Sequence, residues 1–167
     1  VLLNPPSDLW RVLTLSQRMA AQSRGAFDVT VQPLWTLYAE AQARGRLPTA
    51  AEIQAARQRV GWRNLQLSQT RVSFMKPAMR ITLNGIAQGY ASDLVRAQLQ
   101  QSGISHALIN TGEWSSIGQA DAGRDWMLGI AYPHRADHLI ARLRMNGGCV
   151  ATSADDQCSF SADRTHH

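Results

Sequence analysis

Two glycines four residues apart, Gly85 and Gly89, sit in the run Ile81-Thr82-Leu83-Asn84-Gly85-Ile86-Ala87-Gln88-Gly89-Tyr90-Ala91-Ser92-Asp93. Glycine turns a chain without steric cost and lets a ligand approach the backbone closely, so Gly85 is expected at positive φ. A helix opened by such a turn presents free N–H groups and the positive end of its dipole, which suits a phosphate. The spacing matches neither the dinucleotide fingerprint nor the P-loop, and a tight packing turn accounts for the same residues. Asp28 is the second candidate, the one charge in Gly25-Ala26-Phe27-Asp28-Val29-Thr30-Val31-Gln32-Pro33-Leu34. Its carboxylate either caps a turn or binds a polar ligand group, and the local sequence favours the cap.

Other chemistries find less support. No Ser-His-Asp set stands out, and Cys149 and Cys158 have no His/Cys ligand pattern near them, so no zinc site is proposed and a disulfide stays open. The net charge of +5 is carried almost wholly by arginines scattered from Arg11 to Arg164. A nucleic-acid binder more often gathers its basic residues and interleaves them with aromatics, so no nucleic-acid partner is expected. No apolar run reaches the ~18 residues needed to span a bilayer. Trp35, Trp62, Trp114 and Trp126 offer rings for stacking, although core or rim packing is the more ordinary use of tryptophan.

The elements that must position these residues alternate between helical and extended patterns. In the 167 residues, 44% are hydrophobic and 17% charged, which excludes disorder and allows one domain or a large piece of one. Ser7 is a candidate N-cap for a helix through Leu9, Val12, Leu13, Ser16, Met19 and Ala20 that Gly25 ends. An extended segment follows, broken by Pro33. Thr49 with Glu52 makes a capping box for a helix to Val60, closed by Gly61-Trp62. Leu65–Ser68 and Arg71–Met75 predict a hairpin feeding a strand over Met79–Leu83, then a helix through Tyr90, Leu94, Val95 and Leu99. Strands are expected at 106–110, 126–131, 139–145 and 149–153. The fold class this implies is α+β, with a largely antiparallel sheet and packed helices. Both ends read as cut, as in a fragment truncated at each end.

Four stretches in one order carry a family resemblance: Gly25 to Leu34, Leu83 to Asp93, Ala107-Leu108-Ile109-Asn110-Thr111-Gly112, and Val150-Ala151-Thr152-Ser153. Together they resemble the FAD:protein FMN transferase family, also called the ApbE family, and the likeness extends over Pro48–Trp62, Trp126–Pro133 and the final histidines. The resemblance implies a T-fold-like single domain. It also implies an Mg²⁺-dependent enzyme that cleaves FAD at its pyrophosphate, places FMN on a threonine hydroxyl of a target protein and releases AMP. The partner so implied is a flavin-accepting subunit of a membrane-bound redox complex, and the location is the periplasm, often as an inner-membrane-anchored lipoprotein. The alternative is a flavin-binding or FAD-hydrolysing homologue without transferase activity.

Carried over by position, Ala26, Phe27 and Asp28 match a segment that contacts FAD. Thr82 stands where many members place an aspartate that binds FAD, and Gln88 where they place lysine or glutamate. Gly85 matches the residue whose backbone carbonyl helps hold magnesium. His166 or His167 matches a histidine just before the metal-binding Asp-x-x-Thr-Gly segment, and an imidazole near neutrality suits a base acting on the threonine hydroxyl. Read without the family, the same two histidines are simply a chain end. Residues following His167 are expected to read Asp-x-x-Thr-Gly. The neutral Thr82 and Gln88, Glu113 after Gly112 and Ala154 after Ser153 depart from the family pattern, and a lone backbone carbonyl does not make a magnesium site.

Overall fold

In the computed structural model, residues 1–132, 135–152 and 160–161 are described, and they fall into two compact units. The first is Val1–Ile86 with Phe160 and Ser161; the second holds residues 87–152.

The first unit is organised by helix α1 (Ser7–Gln22), whose Val12, Leu13, Ser16 and Ala20 lie buried at helical spacing. The buried Ser16 hydroxyl donates to the Val12 carbonyl at 2.7 Å, so burying it leaves no unpaired group. Ser7 proves to be the first helical residue rather than the cap, a position held by Pro6 without a side-chain bond. At the other end Gly25 takes φ +89° and its N–H reaches the Ala20 carbonyl at 2.7 Å, a left-handed exit that glycine favours.

The expected extended segment after Gly25 is absent. Val29–Val31 forms a 3-10 turn that runs directly into α2 (Gln32–Ala43), with Pro33 in the first turn of the helix. Proline there loses no helical hydrogen bond and its fixed φ is already helical, so Pro33 helps start a helix where it is expected to end an extended segment. Phe160 packs edge-on to Trp35 of this helix at 6.1 Å between ring centres and tilted to Tyr38 at 5.5 Å.

The capping box is present at α3 (Ala50–Arg57), which stops short of Val60. Glu52 N–H donates to Thr49 Oγ1 at 3.3 Å, and Glu52 Oε2 accepts from Thr49 N at 2.8 Å. Arg46 closes on the same carboxylate with two bonds of 2.8 and 2.6 Å.

Strands β1 (Leu2–Leu3), β2 (Leu65–Ser68) and β3 (Arg71–Phe74) form an antiparallel sheet in the order β1-β3-β2, with the expected hairpin pairing Leu65 to Phe74 and Ser68 to Arg71. Leu13, Val29, Leu65 and Val72 make the core, and Leu9, Phe27, Leu67, Ile81 and Leu83 pack against it. Residues 79–83 keep the inward alternation of Met79, Ile81 and Leu83 yet form no strand. Alternation fixes which side chains face the core; a strand also needs a neighbour for its backbone, and Thr82 N–H instead meets the Val29 carbonyl at 2.8 Å.

The second unit opens with α4 (Ala87–Gln101), followed by β4 (Ala107–Asn110), β5 (Trp114–Ile117), β6 (Trp126–Tyr132), β7 (Arg135–Met145) and β8 (Cys149–Val150). The sheets are antiparallel, β4-β5-β8 and β6-β7. Strand β5 was not expected, because its Trp-Ser-Ser-Ile sequence reads as part of a polar turn. Its Ser115, Ser116 and Ile117 are all buried. The architecture is α+β, as the sequence predicts.

Glu52 is held down to about 2 from its ordinary 4.5, first by the Arg46 hydrogen bonds and then by those of Thr49. The folded form therefore keeps its charge where the unfolded form is protonated. Its stabilising contribution is complete above about pH 4.5 and is lost as the pH falls toward 2. Glu52→Gln is expected to unfold at lower urea than the parent at neutral pH, with the gap closing as the pH approaches 2, followed by circular dichroism. A gap that persists unchanged into acid would remove the charged carboxylate from the account.

Candidate functional site

A cavity of about 480 Å³ opens in the first unit, bordered by Ala26, Phe27, Asp28, Thr82 and Gly85. Five residues taken from two separate stretches of sequence thus converge on one space, within the range usual for small-molecule sites. Val29, Val31, Leu34 and Val60 supply further apolar wall, and Arg57 brings a cation.

Asp28 reaches this position as the cap of the Val29–Val31 turn. Its Oδ1 accepts from Thr30 N at 2.8 Å and from Thr30 Oγ1 at 2.6 Å, and its Oδ2 accepts from Trp62 N at 2.9 Å. The Thr30 hydroxyl, fully buried, accepts in turn from Gly61 N at 2.7 Å. The carboxylate therefore joins two segments far apart in sequence while bordering the cavity. The capping role favoured by local sequence is present, and it extends to a second segment that no local pattern announces.

Phe27 lies between core and cavity, packing against the core cluster while lining the open space. Its N–H donates to Ser23 Oγ at 3.0 Å, which fixes the chain just after α1. Gly85 is not in the left-handed region, contrary to expectation. A Cβ placed there would meet Phe27 Cε2 at 3.4 Å, an ordinary contact, so close packing and not φ is what the position offers. Gly89 likewise has no positive φ and stands inside α4 with open space at its Cβ position, so it is not a turn residue. Thr82 contributes a neutral hydroxyl whose oxygen accepts from Asn84 N at 3.3 Å.

Gln88 is not among the residues bordering the cavity. It belongs to the second unit, at the start of α4, where its amide nitrogen lies 3.3 Å from the position a Cβ on Gly112 would occupy. His166 and His167 lie outside the described residues, as does Cys158. None of the four candidate tryptophans borders the cavity. Trp35 and Trp114 are exposed, Trp62 carries the Arg63 guanidinium 4.6 Å above its ring, and Trp126 Nε1 donates to the Ile117 carbonyl at 3.1 Å.

Among the described residues no three His, Cys, Asp or Glu side chains converge as a metal site would require. Magnesium takes oxygen ligands in near-octahedral geometry, and the Asp28 oxygens already accept three protein bonds. The described residues therefore do not fit a magnesium ion by themselves. Sequence reasoning also passed over Arg57, Val60, Thr30 and the Trp62 N–H, which share no local motif with Asp28.

The chain belongs to the ApbE family, whose profile matches residues 2–167. It is 30% identical over 160 residues to a FAD:protein FMN transferase of Klebsiella pneumoniae, covering 91% of this chain and 46% of that relative. Among solved structures it resembles the ApbE protein of Thermotoga maritima, with a TM-score of 0.85 and 28% identity over 99% of this chain and 55% of the other. It also resembles the apo form of the Pseudomonas stutzeri flavinyl transferase ApbE, with a TM-score of 0.76 and 29% identity over 96% and 53%. The chain spans about half the length of the curated relatives it matches.

Replacing Asp28 with alanine leaves three donors without their acceptor, and a lost buried acceptor costs about 1–3 kcal/mol. Asp28→Ala is expected to lower the unfolding free energy measured in urea by a matching amount, with Asp28→Asn in between because it keeps one acceptor oxygen. An unchanged midpoint would show that these bonds contribute nothing to the fold. Gly85→Ala, by contrast, is expected to alter stability by less than about 0.5 kcal/mol, since the added methyl meets only ordinary contact. A large loss of stability in that variant would indicate a conformational demand at Gly85.

Proposed function

We propose that this chain is the flavin-binding part of a FAD:protein FMN transferase, with the cavity under Asp28 receiving FAD. The observation that carries the reading is the convergence of Ala26, Phe27, Asp28, Thr82 and Gly85, all positions matched to the family, on one cavity. Its aromatic and aliphatic walls suit a flat ring, and its few polar groups suit orientation of that ring. The reaction proposed is attack of a target threonine hydroxyl on the FMN phosphorus, breaking the pyrophosphate bond and releasing AMP. Phosphoryl transfer gains most of its rate from positioning and from stabilising charge on the phosphate oxygens. Positioning is the part this cavity is built to supply.

The same proposal assigns Mg²⁺ as a required ion, His166 or His167 as the base, and the periplasm as the site of action, free or held by a lipid anchor. Its acceptor is a subunit of a membrane-bound redox complex. Among the described residues no helix is long and apolar enough to cross a membrane. A second reading, flavin binding without transfer, is favoured by one observation: the cavity wall carries the neutral Thr82 where many members of the family place an aspartate.

Titration with FAD, with and without Mg²⁺, separates the two when flavin fluorescence and AMP release are followed together. The transferase reading expects saturable binding that magnesium strengthens, accompanied by AMP. Binding indifferent to magnesium and without AMP would favour the second reading, and absence of binding would overturn both.

A further inference from the structure

The cavity holds two charged side chains among its described lining residues, and they are in opposite situations. Asp28 has its two oxygens occupied by the Thr30 N–H, the Thr30 hydroxyl and the Trp62 N–H. Arg57 is exposed in the last turn of α3, and its guanidinium makes no hydrogen bond or ion pair to any described residue. In the same unit Arg46 is engaged with Glu52, Arg71 with Ser73, and Arg63 over Trp62, while Arg11, Arg18, Arg24 and Arg80, whose side chains also bond to no described residue, do not border the cavity. A guanidinium with its donors unspent, at the border of an apolar space, is suited to an anionic group carried by a ligand whose flat, apolar part occupies that space.

Arg57 also has an ordinary role available, since a cation in the last turn of a helix opposes the negative end of the dipole. That role does not require a place on the cavity wall. Arg59, two residues on, donates to the Ala55 carbonyl at 3.4 Å from outside the cavity. The two neighbours thus separate helix-end chemistry from ligand chemistry, one as the control for the other.

We infer that Arg57 recognises the phosphate of a flavin nucleotide in this cavity, so that the site selects phosphorylated flavins over riboflavin. The inference rests on the flavin reading above and adds the residue that reads the anion. Phosphate and guanidinium pair through parallel N–H···O bonds, which a neutral ribityl end cannot form. Because Arg57 is exposed, the preference weakens as salt is added.

The test compares FMN with riboflavin, which share the ring system and differ by the phosphate. Flavin fluorescence titrations use the 167-residue chain as parent, Arg57→Gln, Arg57→Lys and Arg59→Gln. The parent is expected to bind FMN about tenfold or more tightly than riboflavin, the range a charged hydrogen bond supports. Arg57→Gln should bring FMN down to the riboflavin level without changing riboflavin affinity, Arg57→Lys should fall between, and Arg59→Gln should match the parent. Retained riboflavin binding is the internal sign that Arg57→Gln is folded. A variant that keeps the FMN preference, or loses both ligands equally, overturns the inference. A parent that binds both flavins alike overturns it while leaving the flavin reading standing, and a parent that binds neither overturns both.

Discussion

The first unit depends on one carboxylate. Asp28 follows α1 by a short turn, caps the 3-10 turn that leads into α2, and holds the backbone of Trp62, 34 residues further along the chain. Thr30, buried beneath it, takes the neighbouring Gly61 N–H. Two segments that pack on different helices are thereby fixed to each other by bonds to one charged group and one hydroxyl. Charge-assisted bonds of this kind are stronger than neutral ones, and their donors would be costly to leave unmet.

The cavity follows from that arrangement. With Asp28 anchored, Phe27 is directed partly into the core of Leu13, Val29, Leu65 and Val72 and partly toward the open space. The chain at Thr82 is tied to Val29 by a single backbone bond of 2.8 Å, which brings the glycine-containing stretch to the same cavity. Site and core therefore share residues, so a ligand that contacts Phe27 or Asp28 meets groups whose positions the fold has already fixed. Such preorganisation lowers the ordering cost of binding.

The second unit buries small polar residues, most of them paired, while the Ser115 hydroxyl has no hydrogen-bond partner among the described residues. Ser92 of α4 shares a hydrogen bond with the Thr111 hydroxyl at 2.5 Å, and Ser116 of β5 accepts from Gly147 N at 3.2 Å. Cys149 Sγ donates to Asp93 Oδ1 at 3.1 Å. Its thiol is pushed up to about 11, by desolvation first and by the Asp93 carboxylate second. A thiol so placed is a poor nucleophile at neutral pH.

Short-range chemistry made much of this fold legible in the residues alone. The capping box of Thr49 and Glu52, the hairpin of β2 and β3, the glycine exit of α1 and the α+β class all depend on neighbours within a few positions or on periodicity along one element. Even there, Pro33 reads locally as the end of an extended segment, although proline serves equally well in the first turn of a helix, where it stands in α2. The Met79–Leu83 alternation was read as a strand, because alternation carries no information about a pairing partner. Asp28 was recognisable as a cap, but its bond to Trp62 was not, and Arg57 carried no mark of the cavity it borders. These were decided by tertiary packing, because bringing Asp28, Arg57 and Gly85 to one space depends on how α1, α3 and the core side chains fit together, a long-range condition that no local pattern encodes.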